Sequence, residues 1–227
     1  MRRRSTGLGL PPFSENVQIG VLALAVFWLA AIQFDDFVRE YLIVSGDQVF
    51  ENLYVWTIVT YAFWHWTFQH LLFNGIALWM FGGFLDRRWS TRKFWRFSLI
   101  CAAGGGVTIA LWQWLTGTSI PTLGYSGAVM GLVAAFAWYN WDRTIQFFFF
   151  PMTGKMLLIF FIVIDFARVI GAHEPISISG HIGGMVTGLL LVSGLWRPRK
   201  IKRKIEQYRR RRKFQNETRP PDGGLGG

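Results

Sequence analysis

Six stretches of the chain are apolar enough to be read as helices in a bilayer: 17–34, 68–85, 93–116, 126–141, 155–171 and 181–196. A hydrocarbon core about 30 Å thick needs about 20 helical residues to cross. The fourth and sixth runs hold 16 residues each, which at 1.5 Å per residue reach only about 24 Å. Their first residues are therefore expected to lie below the membrane surface. No period of about 20 to 50 residues recurs, which argues against a solenoid or an inverted-repeat transporter. The expected fold class is an all-α membrane protein with six transmembrane helices.

The segments between the runs differ in character. Arg2 to Arg4 before an apolar run have the outline of a signal peptide. The run Val17 to Phe34 is long for such a core, and no small-x-small site precedes Asp35, so a retained first span is expected. Segment 35–67 is long for a connector, which favours a functional or lid-like role. Its first part, to Glu51, is polar and acidic, whereas YVWTIVTYAFWHWTF is aromatic and amphipathic and suits the outer interface. The chain divides into a short N-terminal segment 1–16, a membrane domain 17–196 and a basic tail 197–227. In the tail, IKRKIEQYRRRRK is either a basic interfacial helix or a solvated charge run, and TRPPDGGLGG has the composition of a disordered end.

Composition supports the membrane assignment. Of 227 residues, 52% are hydrophobic and 16% charged, with 12 Trp and 21 Phe; a soluble domain of this size needs more charge to cover its surface. The net charge of +11 invites a nucleic-acid partner, but 12 of the 24 Lys and Arg lie from Arg197 onward. Such flanking charge suits anionic headgroups, and no nucleic-acid partner is expected. Cys101, the single cysteine, excludes an intramolecular disulfide and is expected to pack as a small apolar residue.

Charge also orients the spans. One set of connectors carries Arg2 to Arg4, Arg87, Arg88, Arg92, Lys93, Arg143, Lys155 and the tail; the other, 35–67, 117–125 and 172–180, carries only Arg39. The positive-inside rule then puts both termini in the cytoplasm. The second, fourth and sixth spans run inward, so their N-termini share the outer level. His70, Ser126 and His181 stand at or near those starts.

In GYSGAVMG, residues 124–131, Ser126 has two readings. Gly127 and Gly131, four apart, form a small-residue face for close helix packing. The hydroxyl can equally be a nucleophile, because first-turn N–H groups have no intrahelical acceptor and would receive an oxyanion. The soluble-hydrolase elbow G-x-S-x-G is not met, since Ala128 takes the last glycine position and no strand precedes the serine. In GHIGGMVTG, Gly184 and Gly188 form a second small-residue face beside His181, a candidate general base. In HWTFQHLLFN, residues 65–74, His70 and Asn74 share a helix face and can donate to an oxyanion or simply bridge helices. His65 lies about 140° away round the helix and is expected to orient the loop rather than join the reaction. No H-E-x-x-H is present, and His173-Glu174 lacks a second histidine at the needed spacing, so no metal site is expected. Asp165 and Arg168, three apart, most simply pair with each other; orienting His181 is the alternative role for Asp165.

HWTFQHLLFN, GYSGAVMG and GHIGGMVTG, in that order on the second, fourth and sixth spans, resemble the rhomboid family of intramembrane serine proteases over about residues 50–196. The resemblance implies a rhomboid-like bundle and a Ser-His dyad without an acid, with Ser126 as nucleophile and His181 as base. By the same likeness, His70, Asn74 and the Ser126 backbone form the oxyanion hole. Gly124 belongs to the serine loop, while Gly127 with Gly131 and Gly184 with Gly188 are the packing faces. A membrane-dipping first loop, a water-filled cavity open to the outside and lateral substrate entry near the second and fifth spans are further implications. Phe160, Phe161 and Phe166 on the fifth run suit such a gate and equally suit lipid contact. Two departures stand out. Many members have a Trp-Arg pair in the first loop where this chain has Trp56-Thr57, and a tyrosine often four residues after the serine is Met130 here.

The expected activity is hydrolysis of peptide bonds in or beside transmembrane helices of other proteins, without cofactor, by a multi-pass protein of the cell (inner) membrane. An inactive rhomboid-like scaffold that binds membrane helices is the alternative; such relatives typically lack the serine or the histidine, and both are present here. A transporter is disfavoured by the lack of paired acidic residues within the spans.

Overall fold

The structure, a computed structural model, describes residue 11 and residues 13–147, 150–172, 178–197 and 206–207, with the side chains of 168–172 left out. Arg2 to Arg4, His173-Glu174, the Arg168 side chain and most of the basic tail lie outside the described residues. Two units divide the chain, Met1–Val192 and Ser193–Gly227. In the second, the Arg197 N–H donates to Gly194 O and the Leu195 N–H to Ser193 Oγ, and the Arg197 guanidinium lies over the Trp196 ring.

Each of the six apolar runs is a helix. They are α1 (Glu15–Gln33), α5 (Phe68–Ala77), which continues through a π-helical turn (Leu78–Gly82) into α6 (Gly83–Asp86), then α7 (Thr91–Thr116), α8 (Ser126–Tyr139), α9 (Gly154–Ala172) and α10 (Ile178–Ser193). Among the described residues, three are long and apolar enough to cross a membrane: α1, the composite helix Phe68–Asp86, and α7. α8 and α10 are shorter apolar helices. Large apolar side chains such as Leu22, Val26, Leu29 and Ile32 of α1 are exposed, as a lipid-facing surface requires.

Polar clamps join the helices at both ends. At one end, Asn16 Nδ2 donates to Asp86 Oδ1 (2.6 Å), and Trp95 Nε1 donates to Asn16 Oδ1 (3.0 Å). The start of α1, the end of α6 and the start of α7 therefore share a level. Arg88 over Phe84 and Lys93 over Trp89 add cation–π contacts there, the aromatic-basic mixture that interfaces favour. At the other end, the long connector folds into α2 (Asp35–Tyr41), α3 (Gly46–Phe50), α4 (Thr57–Thr60) and a 3-10 turn (Tyr61–Phe63). Gln113 of α7 is the clamp. Its Oε1 accepts from the Gly46 N–H (3.0 Å), and its Nε2 donates to Ile120 O (2.7 Å). Val44 and Thr122 exchange both backbone hydrogen bonds, which ties the first connector to the segment before Ser126.

That connector is anchored without a Trp-Arg pair. Trp56 Nε1 donates to Tyr41 O (2.8 Å), the Trp56 ring stacks on Tyr54 with centroids 4.8 Å apart, and Thr57 Oγ1 donates to Tyr54 O (2.6 Å). Thr57 is buried and fills its place by a local turn bond instead of a charge.

One element departs from the all-helical expectation. Between α8 and α9 the chain forms a hairpin, β1 (Thr144–Phe147) against β2 (Phe150–Thr153), antiparallel with Thr144 opposite Thr153. Its Thr, Ile and Phe content favours a pleated, half-buried surface. Phe147 packs near Phe81 and Phe161, and Phe81 meets Phe136 edge-on at 5.4 Å. Cys101 is buried in the core, as a small apolar residue would be.

The core is threaded by a glycine seam. A Cβ built on Gly184 would run into the backbone carbonyl of Gly127, and one on Gly188 would lie 2.6 Å from Gly131 O and 2.8 Å from Gly131 Cα. α8 and α10 therefore touch backbone to backbone. By contrast, a Cβ on Gly75 would meet nothing closer than Val21 Cγ2 at 3.9 Å. Gly184→Ala is expected to destabilise the fold by about 1–3 kcal/mol, the range for overpacking, and to abolish whatever the site does. Gly75→Ala should be neutral or stabilising by up to about 1 kcal/mol. Thermal unfolding of both variants in detergent checks the contrast.

Candidate active site

The first turn of α8 begins at Ser126 because Gly124 ends the preceding loop in a conformation that only glycine adopts readily, φ +122°. Glycine is required there twice over, since an added Cβ would lie 2.7 Å from His70 Nε2. The Gly124 N–H donates to Tyr61 O (3.0 Å), so the serine loop hangs from the first connector. Ser126 is half-buried, whereas every residue from Gly127 to Ala137 is buried. Ser126 thus sits at an accessible end of a helix whose middle is enclosed. The N–H groups of its turn have no intrahelical acceptor and carry positive potential.

His181 lies on α10 beside the seam and is 9% exposed. Its neighbour Gly180 presents a carbonyl 3.4 Å from where a Gly127 Cβ would be and 2.9 Å from that of Gly105. Three helices, α7, α8 and α10, converge there on Gly105, Gly127 and Gly180, and Ser126 and His181 are the residues next to two of them. Tyr61 reaches the same spot, its hydroxyl donating to Ala102 O (2.9 Å).

The ring of His181 is not left to lipid. Its Nδ1 is 2.7 Å from Asp165 Oδ2, with both side chains buried. Of the two roles considered for Asp165, orienting His181 is the one this contact matches; the Arg168 side chain lies outside the described residues.

α5 starts at Phe68 because Thr67 caps it, its hydroxyl accepting from the His70 N–H (3.1 Å). Asn74 is buried, and both amide hydrogens have acceptors. Nδ2 is 3.1 Å from His65 Nε2 and 3.1 Å from His70 O. The Tyr125 N–H also points at His65 Nε2 (3.4 Å). Two donors converging on one ring nitrogen require a lone pair there, so His65 is neutral with its proton on Nδ1. His65 therefore does more than orient the loop: it ties Asn74 to the residue preceding Ser126. The HxxxxH spacing hid this role, because His65 precedes the helix and its ring turns back, edge-on to His70 at 4.8 Å. Met130 is buried in the core four residues after Ser126.

The Rhomboid domain matches residues 52–198, more than half of the chain. The chain belongs to the rhomboid family. Together with the apolar helices, this makes it an integral membrane protein. It is similar to the mitochondrial Rhomboid protein 1 of Saccharomyces cerevisiae, 27% identical over 180 residues, which cover 78% of this chain and 49% of the relative. It is also similar to proteins named Rhomboid protease GlpG. That of Yersinia enterocolitica is 25% identical over 177 residues (78% of this chain, 60% of the relative). That of Yersinia pseudotuberculosis is 25% identical over 192 residues (84% and 65%). The chain thus spans about half to two thirds of the length of these curated relatives.

Burial, followed by the nearby His70, lowers the His65 pKa from 6.5 to about 3. A base depressed in the fold binds its proton only after unfolding. Its neutral form costs nothing above pH 6.5, and stability falls as pH drops from 6.5 toward 3, by about 1.4 kcal/mol per pH unit at most. Thermal unfolding between pH 7 and pH 5 should show this loss, and His65→Gln should flatten the slope.

Proposed function

We propose that this rhomboid-family protein is an intramembrane serine protease that cuts peptide bonds in or beside transmembrane helices of other membrane proteins. The backbone contact between Gly127 of α8 and Gly184 of α10 is the observation that supports this best. It draws the helices bearing Ser126 and His181 together at one level, with the hydroxyl at an accessible helix start. Similarity to proteins named Rhomboid protease adds to it.

In this reading His181 Nε2 takes the proton of Ser126 Oγ as the oxygen bonds to the scissile carbonyl carbon. The carbonyl π electrons move to oxygen, and the oxyanion is received by first-turn N–H groups at Ser126, with His70 and Asn74 as side-chain donors. Collapse breaks the C–N bond, His181 gives its proton to the leaving nitrogen, and water then hydrolyses the acyl ester by the same proton route. For Asn74 to serve, one of its two present hydrogen bonds, to His65 Nε2 or to His70 O, must be exchanged for the oxyanion. The short helices α8 and α10 keep this chemistry below the surface yet within reach of water from the end that carries the first connector.

The six helices are taken as six spans with both termini cytoplasmic, in the cell membrane. The basic tail is taken to meet anionic headgroups, in line with the Lys and Arg distribution. No cofactor enters the scheme.

Purified protein incubated with a panel of membrane-helix substrates tests the reading. Ser126→Ala and His181→Ala should each reduce cleavage to background. Asn74→Ala should cost about 10²–10³-fold in kcat, the value of one oxyanion donor, which is less than either. Turnover by Ser126→Ala equal to that of the unaltered chain would remove the proposal.

A further inference from the structure

We propose that Asp165 is the positioning residue for His181, so that the site works as a serine-histidine-aspartate relay rather than as an unaided dyad. This rests on the proteolytic reading above and deepens it. Asp165 sits on α9 in the stretch 156–167, where it is the single charged residue. Its side chain is 6% exposed, and its Oδ2 lies 2.7 Å from His181 Nδ1. A carboxylate in an apolar helix is costly unless it is paired and hydrogen-bonded. Here the partner is the imidazole on which the proposed chemistry depends, sixteen residues away on another helix.

The sense of the hydrogen bond carries the function. An ionised carboxylate can only accept, so the ring proton must sit on Nδ1, and Nε2 is left with its lone pair. That is the tautomer a general base for Ser126 needs. When Nε2 takes the serine proton, the imidazolium forms beside a negative charge that is already in place, with no reorganisation of solvent. A protonated Asp165 would reverse the bond, put the ring proton on Nε2 and disable the base. The other titratable groups described near the pair are Tyr61, whose hydroxyl is occupied with Ala102 O, and Cys101, which faces Gly131 further along the seam.

The test is Asp165→Asn, which keeps the shape and removes the charge. In the purified full-length protein it should lower kcat by roughly 10- to 10⁴-fold, the upper figure being that of a soluble triad, with KM within about threefold. Asp165→Glu, which restores the charge, should recover most of the lost kcat, whereas a purely structural acid would not be rescued by charge. An Asp165→Asn variant with kcat within twofold of the unaltered chain, or a reduced kcat that Asp165→Glu leaves unrescued, overturns the proposal. Should the variant not fold, ¹⁵N-histidine NMR of the unaltered protein decides. The His181 ring proton on Nδ1 supports the relay, and a proton on Nε2 contradicts it. The NMR arm needs no activity. Absence of Ser126-dependent cleavage would sink the proteolytic reading without touching the tautomer result.

Discussion

Two helices in a membrane gain little from burying apolar surface against each other, since lipid is as apolar as their side chains. What holds α8 to α10 is instead direct backbone contact, and this is available only where no side chain intervenes. Gly127 and Gly131 on one helix meet Gly184 and Gly188 on the other, and Cβ atoms at Gly184 or Gly188 would overlap the facing backbone. α7 joins the same line through Gly105, and Thr108 and Thr187 pack against Gly183 and Gly104. The position of Ser126 relative to His181 is a consequence of this seam. Neither of these two side chains takes part in making it.

Around the seam, polar groups below the surface are spent on holding geometry. His65 receives both Asn74 and the Tyr125 N–H, Tyr61 carries the Gly124 loop on its carbonyl and α7 on its hydroxyl, and Gln113 clamps the connector to the segment before the serine. In a medium without water, an unmet donor or acceptor costs several kcal/mol, so each of these bonds is strongly specified. The first connector, long and rich in aromatic residues, is thereby a structural part of the site. It supplies Tyr61 and His65, which reach the serine loop from outside the six apolar helices.

Much of this was legible from residue order. Apolar length located all six helices within a few residues, and the paired glycines four apart marked the faces that meet. Thr67 and Gly124 are readable as cap and turn. The remainder depended on contacts between elements far apart in the chain. Asp165 has Arg168 one turn away, and only the packing of α9 against α10 shows that its carboxylate goes to His181. His65 lies outside the helix that carries His70 and Asn74, so helical spacing misjudged where its ring points. The hairpin 144–153 was not foreseen, because apolar length marks the spans and leaves the segment between 141 and 155 as an undivided connector.

The central claim is that the glycine seam brings residues 126 and 181 together. Cysteines placed at both positions in a Cys101→Ala background, treated in membranes with a short bis-thiosulfonate cross-linker, test it most directly. The account predicts rapid intramolecular linkage that is lost when Gly184 is also changed to Leu. No linkage in the otherwise native background, or equal linkage with Leu at 184, would contradict it.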